Sequence, residues 1–154
     1  MTLADDEMQL AAYAAVLADA IDDALPRWVE RGIGRHVRID ASIEPRVRDL
    51  ATVVRAETGT QVRALLATDI DEQRANPLAL LRAAVPHLTT FLDGLGVPAP
   101  DRDEFARRNF PDDRYDLSPA TFADVDPALQ EPGLVWGAAK AHVHLQRRRA
   151  EGRR

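Results

Sequence analysis

The chain contains no cysteine among its 154 residues. Disulfide bonds, thiolate nucleophiles and cysteine-ligated zinc or iron–sulfur sites are therefore excluded. Serine is almost as scarce, because Ser42 and Ser118 are the only two, and each precedes a helical pattern at a capping position. Neither serine lies in the sequence of a nucleophile elbow, so we do not expect a catalytic serine.

Sequence patterns that bind metals or phosphate are also missing. A carboxylate-bridged dimetal bundle needs Glu-x-x-His pairs, and none of the four histidines follows an acidic residue at that spacing. His142 and His144 are two apart on a predicted helix, so they point to opposite sides and do not share a metal. Glycine-rich phosphate loops are absent as well. We therefore expect no metal site and no cofactor.

Long apolar runs are absent too. No stretch approaches the roughly 18 apolar residues that a membrane span requires. The N-terminus is acidic where a signal peptide would be basic, so a cytoplasmic protein without a membrane segment is expected. Only Lys140 is a lysine among the 20 basic residues, and this arginine bias is typical of a bacterial coding sequence of high GC content.

Charge is unevenly distributed. Residues 134–154 carry a net charge of +5, and residues 1–133 carry −10. The C-terminal arginines, Arg147, Arg148, Arg149, Arg153 and Arg154, suggest a weak contact with nucleic acid or the ribosome. The acidic body would repel phosphate, and no aromatic residue is interleaved with these arginines, so this hypothesis ranks third.

Apolar residues recur at spacings of three and four through most of the chain, which predicts an all-α fold. We expect a kinked helical bundle in which residues 1–96 form three long helices, with Pro26 and Pro86 as interruptions. A proline-rich strap with short helices follows at residues 97–133. A fourth, C-terminal helix at 134–149 and a basic tail at 150–154 complete a single domain.

The strap holds six of the ten prolines and four of the eight aromatic residues. A flexible linker would not carry so many large apolar groups. We therefore predict that the strap is ordered because its four rings dock on the helices. These rings are Phe105, Phe110, Tyr115 and Phe122.

The C-terminal helix is apolar on two sides. At 100° per residue its wider apolar face comprises Leu134, Val135, Ala138, Ala139, Ala141 and Leu145, with His142 among them. We expect that face to pack on the bundle. Trp136 and Val143, flanked by Lys140 and Arg147, would then point away, towards either the strap or a partner.

The leading functional hypothesis is a non-catalytic interaction or regulatory domain that binds a protein partner, or a second copy, through the strap and the last helix. Its candidate residues are Trp136, Val143, Lys140, Phe110 and Tyr115. The alternative is a small-ligand pocket or enzyme that uses His142 as an acid–base or ligand-binding group together with Tyr115 or Asp116. No catalytic residue is assigned, and a non-enzyme is favoured over an enzyme.

Overall fold

The computed structural model describes residues 3–68 and 76–152, and within these residues it contains helices and no β-strand. The prediction of an all-α fold is confirmed. A single 3₁₀ turn at Pro127–Leu129 precedes the last helix. The α-helices are α1 (Leu3–Gly34), α2 (Glu44–Thr68), α3 (Pro77–Gly94), α4 (Glu104–Asn109), α5 (Phe122–Val125) and α6 (Gln130–Gly152).

The first helix is longer than its sequence suggests because Pro26 does not break it. Proline removes one backbone hydrogen bond and crowds the preceding turn. Ile21 and Leu25 before it, and Val29 and Ile33 after it, are all fully buried. Tertiary packing on both sides of the proline therefore keeps the two halves in one helix.

The second helix approaches α1 closely at Gly59. A Cβ atom added there would collide with Oδ1 of Asp22 on α1, so a larger residue at this crossing would displace the Asp22 carboxylate. One turn later Arg63 donates from Nε to Oδ2 of Asp22 at 3.0 Å and from a terminal nitrogen to Asp19 at 2.7 Å. The sequence around Gly59 therefore forms a continuous helix with a close contact rather than a break.

The third helix begins where the Asn76-Pro77 pair predicts. The side chain of Asn76 accepts a hydrogen bond from the backbone N–H of Leu78 at 2.9 Å, and Pro77 occupies the first turn. The helix continues through Pro86 to Gly94. Its start could be predicted because a cap depends on residues that are neighbours in the sequence.

The most extensive contacts place the long helices in a row, in the order α6, α1, α2 and α3, and α3 also packs on α1. The helix α1 packs most extensively on α2 and next on α6, whereas α3 packs mainly on α2. Within the described ranges, α6 has no extensive contact with α2 or α3, so it stands at one edge of the row. No helix among the described residues is both long and apolar enough to cross a membrane.

Residues 97–129 cross the bundle as an ordered strap, but their aromatic rings are not what mainly holds them. The apolar side chains that bury the strap are Tyr115, Leu117, Val125 and Leu129. Phe122 is half-buried, and Phe105 and Phe110 lie on the surface. The prediction that all four rings dock is therefore wrong for these last two.

Arginines of the long helices supply contacts that hold the last third of the strap, between residues 119 and 126. Arg82 of α3 donates to the carbonyl oxygen of Pro119 at 3.0 Å. On α1, Arg27 donates to Asp126 at 3.0 Å, and Arg31 donates to the carbonyl oxygen of Val125. A hydrogen bond from the Ala128 N–H, together with Arg27, lowers the pKa of Asp126. These arginines provide hydrogen-bond donors for two strap carbonyl oxygens and for the buried Asp126 carboxylate.

Candidate interaction surface

The C-terminal helix is oriented opposite to the prediction from its sequence. Its buried residues are Gly133, Trp136, Lys140 and Val143, so the narrower face packs on α1 and the strap. Leu134 is 65% exposed and Leu145 is 45% exposed. The expectation that the Leu134–Leu145 face packs into the bundle is therefore wrong, and Trp136 and Val143 do not form an exposed patch.

The size of the buried groups explains this orientation. Trp136 is the largest side chain of α6 and is 8% exposed, whereas the outer face carries small alanines between its leucines. Gly133 allows the ring of Phe122 to lie directly against the helix, because a Cβ there would come within 2.6 Å of that ring. The area that each side chain buries therefore predicts which face of α6 packs inward better than the number of apolar residues on that face does.

Lys140 belongs to the same buried face. Its ammonium group lies 5.1 Å from the centroid of the Trp136 ring, in the range of a cation–π contact. The aliphatic stem covers apolar surface, which lets a lysine occupy an inward position on a helix. Trp136, Lys140 and His144 line a cleft of about 470 Å³ together with Asn76 and Phe122.

The outer face of α6 carries a regular apolar stripe. The exposed residues Leu134, Ala138, Ala141 and Leu145 are spaced four, three and four apart, and we call this set the α6 seam. Such spacing is typical of a helix that pairs with another helix along its length. Val135 lies beside the seam and is partly exposed. All four seam side chains are exposed, so nothing in the described chain buries them.

A groove runs along one side of α6, between that helix and α1. It has a volume of about 360 Å³, and Gln9 and Tyr13 of α1 face Val135, Ala138 and Ala139 of α6 across it. Inside it, Nε2 of Gln9 donates to the hydroxyl of Tyr13 at 3.2 Å. The groove continues the apolar surface of the seam towards α1.

His142 does not occupy the core position that the sequence predicted. Its side chain is 55% exposed, and Nε2 lies 3.6 Å from Oδ1 of the buried Asp6 in the first turns of α1. Tyr115 lies at the other end of α1, where its ring meets His36 edge-on at 5.3 Å. Asp6 and His36 are separated by most of α1, about 40 Å along the axis at 1.5 Å per residue. The structure therefore does not bring His142 and Tyr115 into one pocket.

Tyr115 is an internal anchor of the strap. Its hydroxyl lies 2.7 Å from the carbonyl oxygen of Val97 and 2.9 Å from Oδ1 of Asp93, to which Arg114 also donates. Burial, followed by this contact with Asp93, raises the pKa of the Tyr115 hydroxyl. A buried tyrosine that is hydrogen-bonded in this way stabilises the fold and offers no surface to a partner.

Phe110 is the one member of the predicted partner-binding set that is on the surface. Its ring packs edge-on against that of Phe105 with centroids 6.4 Å apart, and both rings are exposed. Phe105 lies on α4, and Phe110 follows its last residue and lies near Arg82 and Pro86 of α3. This pair is therefore a second, smaller apolar patch, carried by a helix of six residues.

The arginines predicted to contact nucleic acid differ in their exposure to solvent. Arg147 is half-buried and donates to Glu7 of α1. Arg148 and Arg149 are exposed near the end of α6. Arg153 and Arg154 lie outside the described residues. The three described arginines of the tail are therefore not equally available to a ligand.

The spacing of apolar residues in the sequence identifies the α6 seam but predicts that it faces the core. The 3–4 spacing was the correct signal for a pairing face, but spacing alone does not tell which of two apolar faces packs inside. The contribution of Asp6, Gln9 and Tyr13 was missed because these residues lie about 130 positions away in the sequence. Among the described residues, no three histidine or acidic side chains are grouped so that they could hold a metal ion. A comparison with known protein families, curated proteins and solved structures finds no match.

Proposed function

We propose that this chain is a non-catalytic, cytoplasmic protein-interaction domain whose binding surface is the α6 seam. The observation that carries the proposal is an apolar stripe on the solvent side of a 23-residue helix at the edge of the helix row. Leu134 and Leu145, at its two ends, are among the most exposed large apolar side chains of the described chain. Aligned apolar groups at helical spacing suit a helix of a partner protein.

The α6 seam is a better binding surface than the ring pair at α4. Its four apolar positions span twelve residues, about 17 Å of rigid helix. The α4 patch has two rings on a helix of fewer than two turns. A rigid surface loses less conformational entropy when a partner binds, so more of the contact energy contributes to affinity.

Site-specific photo-crosslinking tests the proposal. A photo-reactive amino acid at Ala138, in the middle of the seam, should form a covalent adduct with a protein when the chain is expressed in its natural host. Ala56 is the matched control, because it is also an exposed helical alanine but lies on α2. Introducing Leu134→Asp should suppress the Ala138 adduct by about tenfold, because a buried carboxylate opposes apolar pairing.

An adduct at Ala138 but not at Ala56, sensitive to Leu134→Asp, supports the proposal whatever the mass of the captured protein. Equal labelling at both positions, or none at Ala138, contradicts it. The Leu134→Asp chain should melt at the temperature of the unmodified chain, since Leu134 is 65% exposed. This control separates loss of binding from loss of folding.

A further inference from the structure

The α6 seam continues at both ends into exposed charged residues of opposite sign. Glu131 lies three residues before Leu134, and Arg148 lies three residues after Leu145. The six exposed positions of the extended seam are therefore Glu131, Leu134, Ala138, Ala141, Leu145 and Arg148, spaced three, four, three, four and three apart. The extended seam covers about 26 Å of helix.

This order is self-complementary when two copies run antiparallel. The apolar positions have the same order from either end, namely leucine, alanine, alanine and leucine, and the two flanking charges are opposite. A two-fold axis through the centre of the seam places Leu134 against Leu145 of the second copy. The same axis places Ala138 against Ala141 of the second copy and Glu131 against Arg148 of the second copy. A two-fold interface requires one surface to complement itself in this way.

We propose that the occupant of the α6 seam is a second copy of this chain, bound antiparallel. This inference rests on the proposed function, because it names the partner of the same surface. Charge selects the antiparallel direction, since a parallel pair would place Glu131 against Glu131 and Arg148 against Arg148 of the second copy. The two alanines at the centre allow the helices to approach closely.

The expected dimer is weak. One helix pair of this length buries less than the roughly 1,600 Å² of a standard interface, and small interfaces are typical of transient association. We expect a dissociation constant on the order of 10 µM. Neither Glu131 nor Arg148 has a salt bridge within the described part of the chain, so no existing ion pair is lost on association.

Charge reversal at the two ends of the extended seam tests this pairing in the full chain. In Glu131→Arg, both flanking positions are positive, so the two-fold pair brings like charges together twice. In Arg148→Glu, both flanking positions are negative, with the same consequence. Each variant alone should self-associate about tenfold more weakly than the unmodified chain in sedimentation velocity, because two attractive surface pairs become repulsive.

An equimolar mixture of the two variants should associate about as well as the unmodified chain. Antiparallel pairing of one variant with the other places opposite charges at both ends, so neither repulsion remains. The Glu131→Arg, Arg148→Glu double variant should also self-associate normally. Circular dichroism should show unchanged melting for all three, because both positions are exposed.

Failure of the mixture to recover association contradicts antiparallel pairing, as does a double variant that stays weak. An unmodified chain that remains monomeric at 200 µM contradicts self-association. In that case an Ala138 photo-adduct with a different protein would still support the proposed function, whereas the absence of any adduct would contradict both. A photo-adduct with the mass of two chains supports both.

Discussion

Replacing Trp136 with alanine should lower the free energy of unfolding by about 3–5 kcal/mol, because a buried indole is lost and a cavity is left. Trp136 is 8% exposed and lies on the inner side of α6 beside Lys140. The loss is a large share of the 5–15 kcal/mol that is typical of a domain, so the variant should be close to its unfolding threshold. This change in the free energy of unfolding is measured by urea titration with circular dichroism as the signal.

Leu134→Ala is the matched control, since Leu134 is on the same helix two residues earlier but on the outer face. Its effect on the free energy of unfolding should be within about 0.5 kcal/mol at protein concentrations where the chain is monomeric. The reverse outcome, a costly Leu134→Ala and a neutral Trp136→Ala, would show that α6 packs with its other face inward. The two variants together therefore test the orientation on which the α6 seam depends.

Replacing Tyr115 with alanine should destabilise the chain by about 3–5 kcal/mol, because this ring is the most deeply buried aromatic group of the strap. The variant also leaves the carbonyl oxygen of Val97 without its 2.7 Å hydrogen bond. Tyr115→Phe, which removes the hydroxyl alone, should cost about 1 kcal/mol. Urea unfolding of both variants separates ring burial from hydrogen bonding.

Phe105→Ala provides the control within the strap, because Phe105 is 69% exposed. Its free energy of unfolding should match that of the unmodified chain to within about 0.5 kcal/mol. If Phe105→Ala were as damaging as Tyr115→Ala, the strap would be held by its rings in general and not by Tyr115 and the arginines. That result would support the expectation from the sequence that all four aromatic rings of the strap dock on the helices.

The features that could be predicted from the sequence are those that depend on near neighbours. The start of α3 at Asn76-Pro77 is one, because a capping side chain and a proline act within a single turn. The helical nature of the long segments is another, since it follows from apolar spacing. Residues that are close together in the sequence are enough to predict both features.

The features that could not be predicted depend on residues far apart in the chain. Arg27 and Asp126 are 99 positions apart, and their hydrogen bond helps to hold the strap. The inward face of α6 depends on Gly133 meeting Phe122 and on the packing of α6 against α1, which no local pattern encodes. Two apolar faces with helical spacing were visible, but choosing between them required the tertiary structure.

The candidate surface, too, could be predicted from the sequence only in part. The residues of the α6 seam were identified from their spacing, yet they were assigned to the core. Phe110 was expected at a partner surface and is exposed, whereas Val143 was expected there and is buried. The role of Glu131 and Arg148 at the ends of the extended seam could be inferred only from the structure. It depends on their sharing the outer face of α6 with the two leucines.

Cysteine accessibility along α6 tests the central claim most directly, and the absence of native cysteine means that every introduced thiol reports alone. Each position from Leu134 to Leu145 is replaced singly by cysteine, and the rate of reaction with a thiol reagent is measured below 1 µM protein, about tenfold under the expected dissociation constant. Leu134→Cys, Ala138→Cys, Ala141→Cys and Leu145→Cys should react quickly. Trp136→Cys and Val143→Cys should react at least about tenfold more slowly, because those positions face α1 and the strap. Fast reaction at Trp136→Cys and Val143→Cys, with protection at Leu134→Cys and Leu145→Cys, would contradict the account.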